Sequence, residues 1–201
     1  MTQRRPAGAR KSAAAPPTRV ERRRVARQQR LLQIAAQAFA ARGLDGVRLD
    51  EIADAVDIAR GTLYSHFPTK EALVAAIVRP ALEQAVAALG AIDRSAGAAA
   101  VDALISVWVD LWHEHGDAMR VFEHSRMIPL GEIEAVHGQL LQLVLEVFEG
   151  AARQRVLRVE EPALAARMVA RVAVPLLELC GVGAQGEARF RSSMHGLLLR
   201  E

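Results

Sequence analysis

The stretch 49–70, LDEIADAVDIARGTLYSHFPTK, carries the pattern that decides the fold of this chain. Apolar residues in its first half lie three and four positions apart, which predicts a short helix with one apolar side: Ile52, Ala53 and Val56. A break at 57–58 separates this helix from a second short one built around Leu63. Two short helices joined by a tight turn form a helix-turn-helix layout.

The second helix of this stretch is covered with side chains that can form hydrogen bonds: Arg60, Thr62, Tyr64, Ser65 and His66. In helix-turn-helix proteins such a helix enters the DNA major groove, where each base pair presents its own donors and acceptors. Core packing explains Leu63, Phe67 and part of Tyr64. It does not explain the other polar residues, so the pattern predicts a DNA-reading helix.

Charge is distributed unevenly along the chain. Residues 1–30 hold ten basic residues and one acidic residue, a net charge of +9, which leaves −6 for the remainder of a total of +3. A basic segment on a mildly acidic body indicates a polyanionic partner at one end. Residues 1–19 are rich in Ala, Pro and Arg without helical spacing, so we expect a disordered basic arm. That arm either follows DNA phosphates or is simply a solvated tail.

Three sequence segments together resemble the DNA-binding domain of TetR-type (TetR/AcrR) transcriptional regulators: 34–43 (IAAQAFAARG), 52–53 (IA) and 61–73 (GTLYSHFPTKEAL). The resemblance covers roughly residues 24–75. It implies an all-helical homodimer with three DNA-binding helices per protomer, a linking fourth helix and a divergent effector domain. It also implies DNA-contacting roles for part of this surface: Arg60, Gly61, Thr62, Tyr64, His66 and Lys70.

Two positions depart from the family pattern. Arg48 stands where the family often has Thr before the first helix of the motif, and Ala59 where it often has Ser before the second. Loss of a hydroxyl N-cap typically costs about 1 kcal/mol. Asp50 and Glu51 compensate in part, because negative charge is favourable in the first turn of a helix. We expect Arg48 to contact a phosphate directly.

The composition favours an all-α protein of about nine helices, since apolar residues make up 51% of the chain and recur at helical spacing. We expect the arm at 1–19, a helix-turn-helix DNA-binding domain at 20–68, and a ligand-binding and dimerisation domain at 69–201. A single cysteine, Cys180, forms no internal disulfide, which is typical of the cytoplasm. No uninterrupted apolar run reaches membrane-spanning length, and no secretory leader is expected.

Large, adaptable side chains in the second half predict a pocket for a small, largely apolar effector: Trp108, Trp112, Met119, Phe122 and Met127, with His124 beside them. For each residue alone, ordinary core packing is the alternative, and the family resemblance is what favours a cavity. Four histidines were considered as metal ligands: His113, His115, His124 and His137. They lack ligand spacing, so we expect neither a metal site nor a cofactor.

The last two predicted helices carry an apolar stripe broader than one small domain needs: Leu164, Met168, Val172, Leu176, Phe190, Met194 and Leu197. A four-helix seam between two protomers would use such a stripe, and a monomeric core is the alternative. Two DNA readers held about one helical turn apart would fit a pseudo-palindromic operator in double-stranded DNA.

These features predict a sequence-specific DNA-binding transcriptional regulator that a small effector releases from its operator. Repression rather than activation follows from the family resemblance alone. An enzyme is the first alternative, but the sequence contains no nucleophile elbow, phosphate-binding loop or dinucleotide fingerprint, so we expect no catalysis. A basic adaptor that meets nucleic acid or acidic membrane only through its arm is the second alternative.

Overall fold

The computed structural model describes residues 18–125 and 131–200, and these form eight α-helices and one short 3-10 helix. The α-helices are α1 (Arg19–Arg42), α2 (Leu49–Ala55), α3 (Arg60–His66), α4 (Lys70–Gly90), α5 (Ala98–His124), α6 (Glu134–Arg153), α7 (Pro162–Cys180) and α8 (Ala184–Leu198). The 3-10 helix is Gly131–Ile133 and precedes α6. The all-α prediction is confirmed. Within the described residues, β pairing is limited to an isolated bridge between Leu157 and Leu199.

The expected count of nine helices differs from the eight observed because two expected helices are one. The backbone leaves helical geometry at His115, whose φ is −134° and ψ is 25°, so α5 consists of two helical segments joined across a kink next to Gly116. Trp112 before the kink and Met119 after it are both buried, so both halves of α5 pack into the protein interior. Packing therefore keeps the two segments together despite the unfavourable Gly116.

Gly43 and Thr69 cap two of the helix ends. Gly43 adopts a φ of 71°, and its N–H donates to the Phe39 carbonyl at 2.9 Å, which ends α1. The Thr69 hydroxyl caps α4 by accepting from the Ala72 N–H at 3.1 Å. Arg48 and Ala59 are the N-caps of α2 and α3, and neither forms a side-chain cap. The two short helices therefore depend on tertiary packing.

Helix α4 lies at the centre of the chain and packs against α1, α5 and α6. By length and composition alone it could span a membrane, and half of its most apolar window is buried inside the structure. Its apolar side chains are thus used as a core shared by the amino-terminal helices and the later bundle. Three residues separate α3 from α4, so α4 directly continues the helix-turn-helix.

The first half of α1 extends away from the protein body. Residues 18–30 are all exposed, and burial begins at Leu31. Thr18 and Glu21 form a reciprocal capping box that starts the helix. The expected disordered arm at 1–19 therefore ends earlier, since Arg19 is already helical. The rest of that prediction concerns residues 1–17, outside the described residues.

Candidate nucleic-acid interface and apolar cavity

Helix α3 presents one buried side chain and a polar exposed surface. Leu63 is completely buried and Phe67 nearly so, which anchors the helix on the core. Asp57, at φ 54°, makes the tight turn before it, and the Ile58 N–H donates to the Ala53 carbonyl at 3.1 Å. The predicted groove-facing residues are all exposed, and we call them the reading face: Arg60, Gly61, Thr62, Tyr64, Ser65 and His66.

Asp50, in the first turn of α2, binds several cations and donors of this surface. Its carboxylate accepts hydrogen bonds from Nη1 of Arg60 at 3.1 Å and from the Tyr64 hydroxyl at 3.2 Å. Nη2 of Arg48 lies 3.8 Å from the same carboxylate, and Nη2 of Arg60 lies 3.6 Å from Asp54. The sequence analysis gave Asp50 only a helix-dipole role and missed these contacts, which join positions ten and fourteen residues apart.

The end of α3 is organised around one backbone carbonyl. The Ser65 hydroxyl donates to the Thr62 carbonyl oxygen at 2.8 Å, and Nδ1 of His66 lies 2.9 Å from the same oxygen. Nδ1 also lies 3.2 Å from the Ser65 hydroxyl, and in the tautomer that carries a proton on Nδ1 this atom donates to the Thr62 carbonyl. The Nε2 atom of His66 is then left for a partner outside the helix.

The remaining predicted DNA-contacting residues differ in their surroundings. The Arg48 side chain is 78% exposed at the start of α2, where a phosphate can reach it. A Cβ added to Gly61 would meet no atom within 4 Å, so nothing inside the protomer requires glycine there. Lys70 differs from both, because its half-buried ammonium group donates to the Leu44 carbonyl at 2.7 Å. That contact ties α4 to the connection between α1 and α2.

A cavity of about 560 Å³ lies between α4, α5, α6 and α7. This volume is within the range of small-molecule sites. Its apolar wall comes from four helices: Val78, Leu82 and Leu89 of α4, Val107 and Leu111 of α5, Leu140 and Val144 of α6, and Val169 and Val174 of α7. Sequence analysis missed the contributions of α4, α6 and α7 because their apolar residues look like ordinary core positions.

The predicted pocket residues divide into three groups. Trp108, Met119 and Phe122 line the cavity, as expected. Trp112 and His124 do not belong to its lining, which corrects two predictions. Trp112 is buried in the core, and the Arg120 guanidinium lies 4.4 Å from its ring centroid. His124 is exposed at the last position of α5 because its side of the helix turns to solvent. Met127 lies outside the described residues.

A few polar groups also line the cavity. Ser125 is completely buried, and its hydroxyl donates to the Phe122 carbonyl at 2.9 Å. The His137 ring meets Phe122 edge to face, with centroids 5.0 Å apart. Arg167 and Arg171, one turn apart on α7, add cationic groups to the lining, and Glu123 and Glu134 add carboxylates. The cavity is thus mainly apolar, with charged groups of both signs.

The histidines considered as metal ligands are dispersed. Nε2 of His113 lies 3.2 Å from Glu187, and Nε2 of His115 lies 2.8 Å from the side-chain oxygen of Gln84. Within residues 18–125 and 131–200, no three His, Cys, Asp or Glu side chains come together in a possible metal site.

The expected dimer stripe is split by the structure. Phe190 and Met194 are completely buried inside the protomer, so they belong to its core and not to a protein–protein surface. Four members lie on one side of α7 and remain partly exposed: Leu164, Met168, Val172 and Leu176. The opposite side of α7 is buried at Ala165, Val169, Ala173 and Leu177. Leu197 on α8 is half-buried.

Comparisons with known proteins agree with this architecture. Residues 31–77 match the family model described as bacterial regulatory proteins, tetR family. The chain is 47% identical over 57 residues to the HTH-type transcriptional repressor KstR2 of Rhodococcus jostii, a match that covers 28% of each protein. It is 31% identical over 98 residues to the HTH-type transcriptional regulator RutR of Escherichia coli K12, covering 48% of this chain and 46% of RutR. Both matches span less than half of the relative.

The similarity of structure extends further along the chain than that of sequence. The crystal structure of AibR in complex with isovaleryl coenzyme A and operator DNA has a TM-score of 0.71, covering 85% of this chain and 97% of AibR at 20% identity. At this identity the likeness concerns the fold. Residues 31–77 thus match the tetR family of bacterial regulatory proteins, and the chain as a whole shares the fold of a solved DNA-bound regulator.

Proposed function

We propose that this protein is a sequence-specific DNA-binding transcriptional regulator, a repressor that a small, largely apolar ligand releases from its operator. The reading face of α3 carries this proposal. Leu63 anchors that helix completely inside the core while the polar side chains around it are exposed. A helix held rigidly by one side, with hydrogen-bonding groups on the other, suits major-groove recognition.

The proposed division of labour follows the position of α4. Residues 20–68 read DNA, and residues 69–201 hold the ligand and dimerise. Val78, Ala81 and Leu82 of α4 line the cavity, and the same helix begins three residues after α3. A ligand that binds one orientation of α4 more tightly therefore biases the orientation of the reading face. The ligand can shift the equilibrium between the two orientations of α4 only by the difference in its binding free energy for them.

The first ligand class that we propose to test is an acyl-coenzyme A thioester, of which only the acyl portion is small and apolar. The apolar cavity wall suits an acyl chain, and Arg167 and Arg171 supply cations for an anionic portion. The AibR structure, which has the same fold, contains isovaleryl coenzyme A. The chemistry proposed here is binding alone, with no catalytic step.

We propose that a homodimer presents two reading faces to a pseudo-palindromic operator in the cytoplasm. The apolar stripe of α7 supports this, because Leu164 is 39% exposed and Leu179, further along the helix, is 84% exposed. Burial of such a stripe against a second copy removes apolar surface from water. Each reading face then meets one half-site.

The test is selection of duplexes from a random DNA pool by the full-length protein, followed by footprinting. We expect an enriched pseudo-palindrome with two protected half-sites. Isovaleryl coenzyme A, with free coenzyme A and isovalerate as controls, is then titrated into the complex. Failure to enrich any sequence would contradict the DNA-reading proposal, whereas enrichment without release by the thioester contradicts only the ligand class.

The exposed start of α1 favours a second candidate, a basic adaptor without sequence preference. Six arginines lie on this exposed part of the helix: Arg19, Arg22, Arg23, Arg24, Arg27 and Arg30. Deleting residues 1–17 and replacing these six arginines by glutamine separates the two functions. A groove reader keeps its sequence preference and loses part of its salt dependence, because fewer counterions are released. An adaptor that depends on the basic segment loses binding to all sequences.

A further inference from the structure

Asp50 occupies an unusual place for an acidic residue, because it lies among the side chains proposed to meet a polyanion. Its carboxylate accepts from Arg60 at 3.1 Å and from Tyr64 at 3.2 Å, and Arg48 lies 3.8 Å away. The Asp50 side chain is 21% exposed, less than that of any of its basic partners. It is therefore partly covered and tied to the reading face, unlike a freely solvated surface acid.

We propose that Asp50 determines specificity: it orients Arg60 and Tyr64 for base contacts and opposes binding to DNA of arbitrary sequence. This inference rests on the proposed function. The quantity concerned is the ratio of the affinities for operator and non-operator DNA. The affinity for any DNA depends mainly on phosphate contacts, whereas this ratio depends on base contacts.

The contacts of Asp50 fix the orientation of Arg60 and Tyr64. An arginine side chain loses considerable rotamer freedom when it is fixed at an interface. Asp50 holds Nη1 of Arg60 before any DNA is present, and the guanidinium keeps further N–H donors for a base edge. The Tyr64 ring is held through its hydroxyl in the same way. Preorganisation of both side chains favours the complex in which their positions match the bases.

Asp50 also places a negative charge next to Arg60, where DNA phosphates would compete for the guanidinium. On a non-operator duplex, phosphates are the main available partners, and they compete with Asp50 for Arg60. Moving Arg60 onto a phosphate breaks its contacts with Asp50 at 3.1 Å and with Asp54 at 3.6 Å. It also leaves the Asp50 carboxylate close to the DNA backbone, where like charges repel. Binding that relies on phosphates alone is therefore weakened most.

A helix-dipole role is the competing explanation, because Asp50 lies in the first turn of α2. Glu51 provides a matched control for this explanation. It lies in the same turn and carries the same charge, but its carboxylate pairs with Arg42 of α1 at 2.9 Å. Glu51→Gln therefore removes one negative charge from the helix start without touching Arg60 or Tyr64.

The experiment compares full-length wild type, Asp50→Asn and Glu51→Gln on the selected operator and on a scrambled duplex of the same composition. Fluorescence anisotropy over a range of salt concentrations gives both affinities. For Asp50→Asn we expect tighter binding to the scrambled duplex with a salt slope steeper by about one unit per protomer. We expect the affinity ratio to fall about tenfold, the size of one good base contact. Glu51→Gln should keep the wild-type ratio.

Two further variants test the role of the carboxylate itself. Asp50→Glu restores the charge and should recover part of the ratio. Asp54→Asn removes the second acidic partner of Arg60 and should lower the operator-to-scrambled affinity ratio by less than Asp50→Asn does. Because the Asp54 side chain is 67% exposed, this variant also provides a test if Asp50→Asn fails to fold. Circular dichroism verifies the folding of each variant.

Two results overturn the inference. One is an operator-to-scrambled affinity ratio that is unchanged in folded Asp50→Asn. If that variant does not fold, an unchanged ratio in Asp54→Asn has the same meaning. The other is a fall in the Glu51→Gln ratio equal to that of Asp50→Asn, which would assign the effect to the helix dipole or to net charge. If wild type itself prefers no sequence, the proposed function fails, and this inference fails with it.

Discussion

The Nη2 atom of Arg79, on α4, lies 2.7 Å from the carbonyl oxygen of Glu132 in the 3-10 helix Gly131–Ile133. The Arg79 guanidinium also lies 3.6 Å from the Glu132 carboxylate. Gly131 and Ile133 line the cavity, and the neighbour of Arg79, Val78, lines it from α4. The pair therefore joins the linking helix to one wall of the cavity.

Replacing Arg79 should weaken communication between ligand and DNA. For Arg79→Gln we expect near-normal operator affinity without ligand, and a ligand-induced loss of affinity at least about fivefold smaller than in wild type. Operator titrations with and without isovaleryl coenzyme A measure this coupling. Arg158→Gln is the control, since Nε of Arg158 also donates to a backbone carbonyl, that of Leu199. Equal coupling in both variants and wild type would contradict the prediction.

Gly61 provides a test of the reading face in which stability and function move in opposite directions. Gly61→Ala should stabilise α3, because glycine costs about 1 kcal/mol in a helix and the added Cβ meets no atom within 4 Å. We expect operator affinity to fall, because the methyl group occupies space that the approaching duplex needs. Thermal denaturation and operator titration measure the two effects. A rise in both would place the groove contact on another surface.

Tyr64 and His66 should matter for operator binding and not for folding, since both are exposed. Tyr64→Ala or His66→Ala should lower operator affinity about tenfold or more with unchanged helix content by circular dichroism. Leu63→Ala serves as the contrast, because removing a completely buried leucine typically costs about 2–5 kcal/mol of folding free energy. Wild-type operator affinity in both exposed variants would reject this reading face.

The two tryptophans should respond differently to substitution. Trp108 lines the cavity, so Trp108→Ala should change the affinity for isovaleryl coenzyme A more than stability. Trp112 is buried and stacks with Arg120, so Trp112→Ala should cost about 3–5 kcal/mol of stability. Chemical denaturation and ligand titration separate the two effects. Identical losses of stability would indicate that Trp108 is ordinary core.

A charged residue on the outer stripe of α7 should disrupt the dimer without unfolding the protomer. Leu164→Glu and Leu179→Glu place a carboxylate at positions 39% and 84% exposed in the protomer. We expect sedimentation to show more monomer, together with weaker operator binding. Val25→Glu, at an exposed position of α1, is the matched control for sedimentation alone, because it lies among the arginines of α1. If both α7 variants sediment as wild type does, the seam lies elsewhere.

Acid should loosen the start of α1 through Glu21. The backbone N–H of Thr18 donates to this carboxylate at 2.6 Å, which lowers the pKa of Glu21 below its ordinary value of 4.5. Since the folded-state pKa is depressed, the stabilising effect is complete above about pH 4.5 and is lost as pH falls through the folded pKa. The protection factors of amides near Thr18, which correct for the intrinsic slowing of exchange in acid, should therefore fall on acidification. Glu21→Gln should abolish that pH dependence, and unchanged behaviour would contradict it.

The sequence alone determined the features that depend on neighbours within about four residues. Helical spacing predicted the all-α architecture, with α5 expected as two separate helices, because local sterics and hydrogen bonds act over one turn. The polar pattern around Leu63 likewise predicted the exposed surface of α3.

Only the tertiary structure decided features that depend on how helices pack against one another. Phe190 and Met194 have the same apolar spacing as a dimer stripe, yet packing turns them into the protomer core. The cavity draws its wall from four helices, and the contacts of Asp50 cross from α2 to α3. A periodic pattern states which residues share a side of a helix. It does not state what that side meets, because that depends on distances set by the whole fold.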